Sequence, residues 1–318
     1  RFVCATFGRA PPAPLAQLSM TLRDQHVLIT GGSSGIGLAL GQQAAAAGAR
    51  VSLVARDPAK LASGRAAIRA AVPGGAEVVT VTADVSIEAE ILAALQAAEK
   101  VHGPVEVLIT SAGVARPGHF TEVPVSVFER TMAVNYFGTL YPLKAVVPAM
   151  RRRGHGAVVI ISSGAGLVGL FGYTPYAPSK FALRGLAEAL RGELKDTGVS
   201  VTIVYPPDTD TPQLIEENLT KPVETKALTA AGGLWTAEAV ARVTLAGVQR
   251  GRFAITPGFQ LTVLACLHSV IAPVVNWHFD RLARRPRVVA EAKRTKRAAI
   301  VCEVGPSGFD GWIVEQIV

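Results

Sequence analysis

The chain has 318 residues, 49% of them apolar and 18% charged, with a formal net charge of +8. An average soluble domain is about 25% charged, so a sizeable core is easily built, as one large domain or two small ones, and the surplus of apolar residues needs a place. Cys4, Cys266 and Cys302 are scattered, odd in number and without a C-x-x-C spacing, and the histidines form no H-x-x-x-H pair. That excludes a disulfide framework and a zinc motif, no metal is assigned, and a reducing compartment is expected. Much of the basic excess sits late, at Arg281, Arg284, Arg285, Arg287, Lys293, Arg294, Lys296 and Arg297. Such a cluster suits nucleic acid, an anionic membrane surface or a solvated tail; no nucleic-acid recognition motif accompanies it, so nucleic acid is not expected as a partner.

Residues 1–20 run through Pro11, Pro12 and Pro14 with no signal-peptide layout, and a flexible tail is expected there. His26–Thr30 reads as a short apolar strand, followed at once by G-G-S-S-G-I-G at residues 31–37 and then by an alanine-rich helical pattern over Leu38–Ala47. Strand, glycine turn and helix together mark a dinucleotide site: the glycines allow a tight turn and close approach to a pyrophosphate, and the helix N-terminus offers free N–H groups. Val51–Ala55 is a second strand, ending at Arg56. An arginine here accommodates a 2′-phosphate whereas an acidic residue binds a ribose 2′-OH. Arg56, with Ser33, Ser34 and Lys60, favours NADP(H); the adjacent Asp57 keeps NAD open.

Leu61–Ala71 reads as a helix, Val78–Ala83 as a third strand with Asp84 after it, Ala89–Val101 as a helix, and Val105–Thr110 as a fourth strand. Phe128–Met150 has the pattern of one long helix containing Asn135. Gly156–Ser162 is a fifth strand delivering Ser163. A helix from near Pro175 to about Lys195 carries Tyr176 and Lys180. Val199–Tyr205, Ala237–Arg250 and Arg252–Thr256 complete a strand, helix and strand. The alternation predicts a Rossmann-type α/β fold, a doubly wound, mostly parallel sheet of about seven strands with helices on both faces. Gly31, Arg56, Asp84, Gly113, Ser163 and Pro206 all follow strand ends, where ligands bind in such sheets.

Tyr176 and Lys180 are four residues apart, so a helix starting near Pro175 presents phenol and ammonium on one face. A cation beside a phenol favours the phenolate and is expected to lower its pKa toward the working range, making a proton donor for a carbonyl. Ser163 lies thirteen residues before Tyr176, and the intervening glycines let its hydroxyl return to the same oxygen. Leu261–Val275 is an apolar run interrupted by His268 and Pro273. It is shorter than the roughly 20 residues of a spanning helix. It reads either as a core or dimer-interface helix, or as an interfacial anchor with its basic flank at cytoplasmic headgroups. The expected organisation is a tail over 1–20, a nucleotide-binding catalytic domain over 21–257, an apolar, membrane-associated segment over 258–287, and a basic, poorly ordered tail over 288–318.

Thr30-Gly31-x-x-x-Gly35-x-Gly37, Asn135, Ser163 and Tyr176-x-x-x-Lys180, in this order and spacing, resemble the short-chain dehydrogenase/reductases over about residues 24–256. V-A-R, F-E-R, the run from Leu170 to Leu190, Y-P-P-D-T-D-T-P and E-E-N-L-T-K-P-V-E-T are similar to the 3-ketodihydrosphingosine reductases. That resemblance implies NADPH-dependent reduction of the 3-keto group of a long-chain 2-amino-1-hydroxy ketone. It implies Tyr176 as proton donor, Lys180 as the group that lowers its pKa and holds the nicotinamide ribose, and Ser163 as orienter of the carbonyl. Asn135 would support a water relay behind Lys180.

The cofactor positions implied are Gly31, Ser33, Ser34, Gly35, Ile36, Gly37, Arg56, Lys60, Asp84 (near the adenine), Val85, Ala112, Gly113, Tyr176, Lys180, Pro206, Thr209 and Thr211. The family usually has asparagine at the start of the loop after strand four, where this chain has Thr110-Ser111-Ala112-Gly113. The resemblance also implies a homodimer or homotetramer packed through the helices of Asn135 and Tyr176. The late apolar run with its basic flank leads to the further expectation of a site on the cytoplasmic side of a membrane, with contact through residues 259–287. The rival readings are a reductase of another lipophilic ketone, such as a steroid, retinoid or acyl-type substrate, and a catalytically dead nucleotide-binding protein.

Overall fold

The computed structural model describes residues 21–72, 75–229, 233–267, 272–274 and 276–281. The expectations for residues 1–20, 282–287 and 288–318, and for His268, lie outside the described residues. The elements in chain order are β1 (His26–Thr30), α1 (Gly35–Ala46), β2 (Arg50–Ala55), α2 (Pro58–Ala71), β3 (Val78–Thr82), α3 (Glu88–His102), β4 (Val107–Thr110), α4 (Val125–Met132), α5 (Gly138–Arg153), β5 (Gly156–Ile161), α6 (Tyr176–Glu193), β6 (Val199–Val204), β7 (Thr209–Asp210), α7 (Pro212–Thr220), α8 (Val223–Thr229), β8 (Trp235–Thr236), α9 (Ala237–Gln249) and β9 (Ala254–Ile255). Residues 259–267 form a further helix.

Seven strands form one parallel sheet in the order β3-β2-β1-β4-β5-β6-β9. The order reverses between β1 and β4, so the connections leaving these two strands diverge and open a crevice at their carboxyl ends. Alternate residues of β1 serve opposite faces, as strand geometry requires. Val27 and Ile29 pack with Leu40, Leu61, Ile68 and Val248 from α1, α2 and α9. Leu28 packs with Ile91, Leu95, Val146, Met150 and Leu183 from α3, α5 and α6. The central strands are buried on both faces, which explains their nearly continuous Val/Ile/Leu composition.

Strands three, four and five are each one or two residues shorter than expected, and the larger difference is at 128–150. The expected single helix begins earlier, at Val125, and is interrupted by a π-helical turn over Ala133–Phe137. Helical periodicity cannot register one wider turn, but its position is informative: it holds Asn135, and π turns concentrate at functional sites.

β7 and β8 form a separate parallel pair that matches Thr209 with Trp235 and Asp210 with Thr236. This pair ties the loop after β6 to the start of α9. No helix among the described residues is long and apolar enough to cross a membrane.

Candidate active site

The glycine turn after β1 shows why its residue types are needed. Gly31 has φ +70°, and a Cβ there would stand 2.6 Å from Ala112 N on the loop after β4. A Cβ on Gly37 would stand 2.3 Å from Gly31 O. The turn therefore folds flat against both its own helix and the neighbouring strand end. Ser34 caps α1 in an extended conformation with no side-chain hydrogen bond, and no acidic residue occupies the first turn. The first N–H groups of α1 are left for an anion.

Arg56 and Lys60 stand in the wall of the same cavity. Asp57, also in that wall, has its Oδ1 engaged as the cap of α2, accepting from Ala59 N at 2.9 Å and Lys60 N at 3.1 Å. An uncapped helix N-terminus, a flat glycine turn and a half-exposed arginine in the cavity wall fit a dinucleotide carrying a 2′-phosphate.

Asp84 departs from expectation. Its carboxylate accepts from Ser86 N and Oγ and, at 3.0 Å, from Arg130 Nη2; Arg56 Nη1 lies 3.9 Å away. Partial burial raises its pKa, but these hydrogen bonds and the Arg130 charge outweigh that and hold the carboxyl below its ordinary value. Ala83 and Val85, not Asp84, line the cavity. Asp84 thus stands behind the cavity wall, between Arg56 and Arg130. Arg130, on α4, was missed because nothing in F-E-R marks a residue that reaches across to another loop.

The catalytic candidates meet at the ends of β5 and α6. Ser163 stands two residues beyond the paired end of β5 in extended conformation, its Oγ accepting from Ala165 N at 3.2 Å. The short 3-10 turn Gly164–Gly166 then lies directly on α6: a Cβ on Gly166 would meet Ser162 Oγ at 2.6 Å and Lys180 O at 2.9 Å. Tyr176 is the first residue of α6, as the Pro175 boundary predicted, and is 8% exposed. The Ser163 and Gln213 side chains face the Tyr176 phenol from the same wall.

Lys180 lies one turn on, 4% exposed, with Nζ donating to Ile161 O at 3.2 Å and standing 5.5 Å from the Tyr176 ring centroid. Asn135 is fully buried. Its side chain accepts from Val114 N at 2.9 Å and donates to Val114 O at 3.0 Å and Ser179 Oγ at 2.9 Å, strapping the loop after β4 to α6.

The electrostatics differ from the expectation at Tyr176. Burial, and next the Glu217 carboxylate, push the phenol above its ordinary value, against the opposing effect of the Ser163 and Gln213 side chains. Lys180 does not reverse this, because its ammonium bonds a carbonyl beneath the ring rather than the phenol oxygen. Burial also lowers the Lys180 pKa to about 8. The phenol is therefore protonated, as a proton donor must be, but a weaker acid than a free phenol, beside a lysine lowered toward neutrality.

One cavity of about 1200 Å³ joins these parts. Of the positions singled out from sequence, Gly31, Ser33, Ser34, Gly35, Ile36, Gly37, Arg56, Lys60, Val85, Ala112, Gly113, Ser163, Tyr176, Lys180, Pro206, Thr209 and Thr211 line it; Asp84 and Asn135 stand behind the wall. Thr211 also caps α7 through Leu214 N at 3.3 Å. The wall contains residues the sequence did not single out: Tyr173, Asp208, Gln213 and Glu217. A usable sign was the Glu217–Lys221 pair at i,i+4, an ion pair in the structure at 2.9 Å. Beyond Tyr176 the wall becomes apolar, with Leu228, Leu261, Leu264 and Trp277. Leu261 Cδ2 would lie 3.0 Å from a Cβ on Gly164, so helix 259–267 packs onto the catalytic loop.

Comparison with known proteins agrees with this architecture. The chain is 40% identical over 262 residues to the 3-dehydrosphinganine reductase of Danio rerio, covering 81% of this chain and 79% of that protein. It is 41% identical over 267 residues to the 3-ketodihydrosphingosine reductase of Bos taurus, covering 83% and 79%. Among solved structures, levodione reductase superposes with a TM-score of 0.68 at 29% identity, over 76% of this chain and 98% of that one. Residues 25–222 match the short chain dehydrogenase family, and the chain belongs to it.

Proposed function

We propose that this protein reduces the 3-keto group of 3-ketodihydrosphingosine to the alcohol of dihydrosphingosine with NADPH. The observation that carries the reading is the continuity of one cavity, from the glycine turn past Ser163 and Tyr176 to the apolar wall of Leu228, Leu261, Leu264 and Trp277. A lipid chain needs that wall and a small polar ketone does not. Relatives at 36–41% identity that carry the names 3-dehydrosphinganine or 3-ketodihydrosphingosine reductase support the same substrate.

NADPH would be held by the turn from Gly31 to Gly37, by Arg56 and Lys60 at the 2′-phosphate, and by Thr209 and Thr211 near the nicotinamide end; when bound it supplies the hydride. Ser163 orients the ketone oxygen by a hydrogen bond and stabilises the charge that develops on it. Tyr176 gives that oxygen its proton. Lys180 stabilises the phenolate left behind and replenishes its proton. Asn135, held by Val114 and Ser179, fixes the loop and helix between which a water relay behind Lys180 would run. The polar head of the substrate faces Ser163 and Tyr176, and its chain follows the apolar wall.

Exposed Phe137 and Phe181 on the helices of Asn135 and Tyr176 support a homodimer or homotetramer packed there. Exposed Phe259, on the helix that carries Leu261 and Leu264, and exposed Trp277, in the apolar wall, support contact with the cytoplasmic face of a membrane. Cofactor oxidation with 3-ketodihydrosphingosine, run in parallel with NADPH and NADH, tests the reading. Turnover with NADPH well above that with NADH is expected. Failure to reduce this ketone while reducing a steroid, retinoid or acyl-type ketone would replace the substrate assignment, and failure on every ketone would favour a catalytically dead nucleotide-binding protein.

A further inference from the structure

Near Tyr176, two carboxylates of the cavity wall share the ammonium of Lys221. Lys221, just past α7, has a side chain only 1% exposed, with Nζ 2.9 Å from Glu217 Oε1 and 3.3 Å from Asp208 Oδ2. Glu217 is closed off from solvent. Its Oε1 also accepts from the Tyr173 hydroxyl, whose ring lies 5.4 Å from that of Tyr176, and its side chain is 7% exposed. Asp208 is not closed off in this way. It sits on the loop after β6, beside Thr209, in the cavity wall. Its side chain keeps 30% of its exposure, and Oδ1 has no partner among the described residues. Lys221 and the backbone bond from Trp235 N to Asp208 O at 3.0 Å hold it in place.

A half-open carboxylate is a liability in a lipid site. A neutral lipid ketone seated over Asp208 would strip its water and leave a carboxylate whose one ammonium is shared with Glu217, a heavy penalty. The same carboxylates disfavour the phenolate that remains when Tyr176 has given up its proton. A cation on the substrate removes both penalties at once. Resting on the substrate reading above, we propose that Asp208, positioned by Lys221, is the acceptor for the protonated 2-amino group of the ketone and selects amino ketones over neutral ketones of the same chain length.

The test is the ratio of kcat/KM for 3-ketodihydrosphingosine to that for the equally long 1-hydroxy-3-ketone without the amine. The wild-type enzyme is expected to favour the amino ketone, and Asp208→Asn to reduce the ratio by about 10- to 100-fold, the worth of one charge-assisted hydrogen bond. An equal loss on both substrates, or an unchanged ratio, overturns the proposal, since a purely structural role for Asp208 moves both together. A second measurement needs no variant: the wild-type ratio should fall as pH rises through about 8, the ordinary range of an α-amino group. Titration of Lys180 affects both substrates and cancels in the ratio. A ratio flat across that range overturns the proposal as well. If the wild-type enzyme turns over the neutral ketone but not the amino ketone, the substrate reading itself falls. If it reduces the amino ketone with an unchanged ratio, only the role of Asp208 does.

Discussion

Lys180 reaches Tyr176 from beneath: its Nζ stands 5.5 Å from the phenol ring centroid while donating to Ile161 O at 3.2 Å. The strand end thus sets the height of the ammonium, and the first turn of α6 sets that of the phenol. Burial acts oppositely on the two groups, raising the tyrosine and lowering the lysine to about 8. Both shifts move the pair toward a neutral phenol and a lysine that exchanges protons readily.

Tyr176→Phe should lower kcat for ketone reduction by roughly 10²–10⁴-fold, the usual contribution of a positioned general acid, with NADPH affinity changed by no more than a few-fold. Steady-state turnover and cofactor fluorescence titration check the two halves separately. Near-normal turnover would remove Tyr176 from the chemistry.

The lysine predicts a pH profile. Lys180 carries its charge below about 8 and loses it above. Since kcat/KM reports groups of the free enzyme, reduction should decline as pH rises through that value. Lys180→Met should be slow at every pH and lack this descending limb.

Arg56 lines the cavity while Asp57 is spent on the cap of α2. Arg56→Ala should lower kcat/KM with NADPH by about 10-fold or more, as expected for one charge-assisted contact, while NADH, lacking the 2′-phosphate, is little affected. Equal losses with both cofactors would place Arg56 elsewhere.

At the opposite end of the sheet, His26 is fully buried, its ring 2.7 Å from Gly103 O and 2.8 Å from Ser52 Oγ. Burial, with help from His102 and Arg50, lowers its pKa from 6.5 to about 4. Above 6.5 the ring is neutral in both folded and unfolded chains. As pH falls from 6.5 to 4 the unfolded chain takes up a proton that the folded one refuses, so stability falls with acid. The full difference is about 3 kcal/mol. Denaturant unfolding at neutral and acidic pH should show a shallower acid loss in His26→Gln than in the wild-type protein.

Gly166 has no room for a side chain against Ser162 Oγ and Lys180 O. Gly166→Ala should lift the turn after Ser163 from α6, reducing kcat more than cofactor affinity, with a stability loss of about 1–3 kcal/mol, as for other overpacked sites. Turnover, cofactor titration and thermal unfolding separate these effects.

The parallel sheet and the glycine turn were legible from local pattern, and Ser163 and the Tyr176–Lys180 pair from their joint spacing and the family resemblance. Strand and helix periods, glycine at turns and the four-residue spacing on α6 are properties of neighbouring residues, and the chain states them directly. Three features belong to the folded molecule. Asp84 turns from the adenine site to Arg130, a pairing of residues 46 positions apart. The wider turn at Asn135 interrupts what periodicity reads as one helix. The charge around Tyr176 is governed by Glu217 and Asp208 more than by its sequence neighbour Lys180. Each depends on distance and desolvation between groups remote in sequence, and a pKa follows the dielectric and the charges that packing brings close rather than the order of residues along the chain.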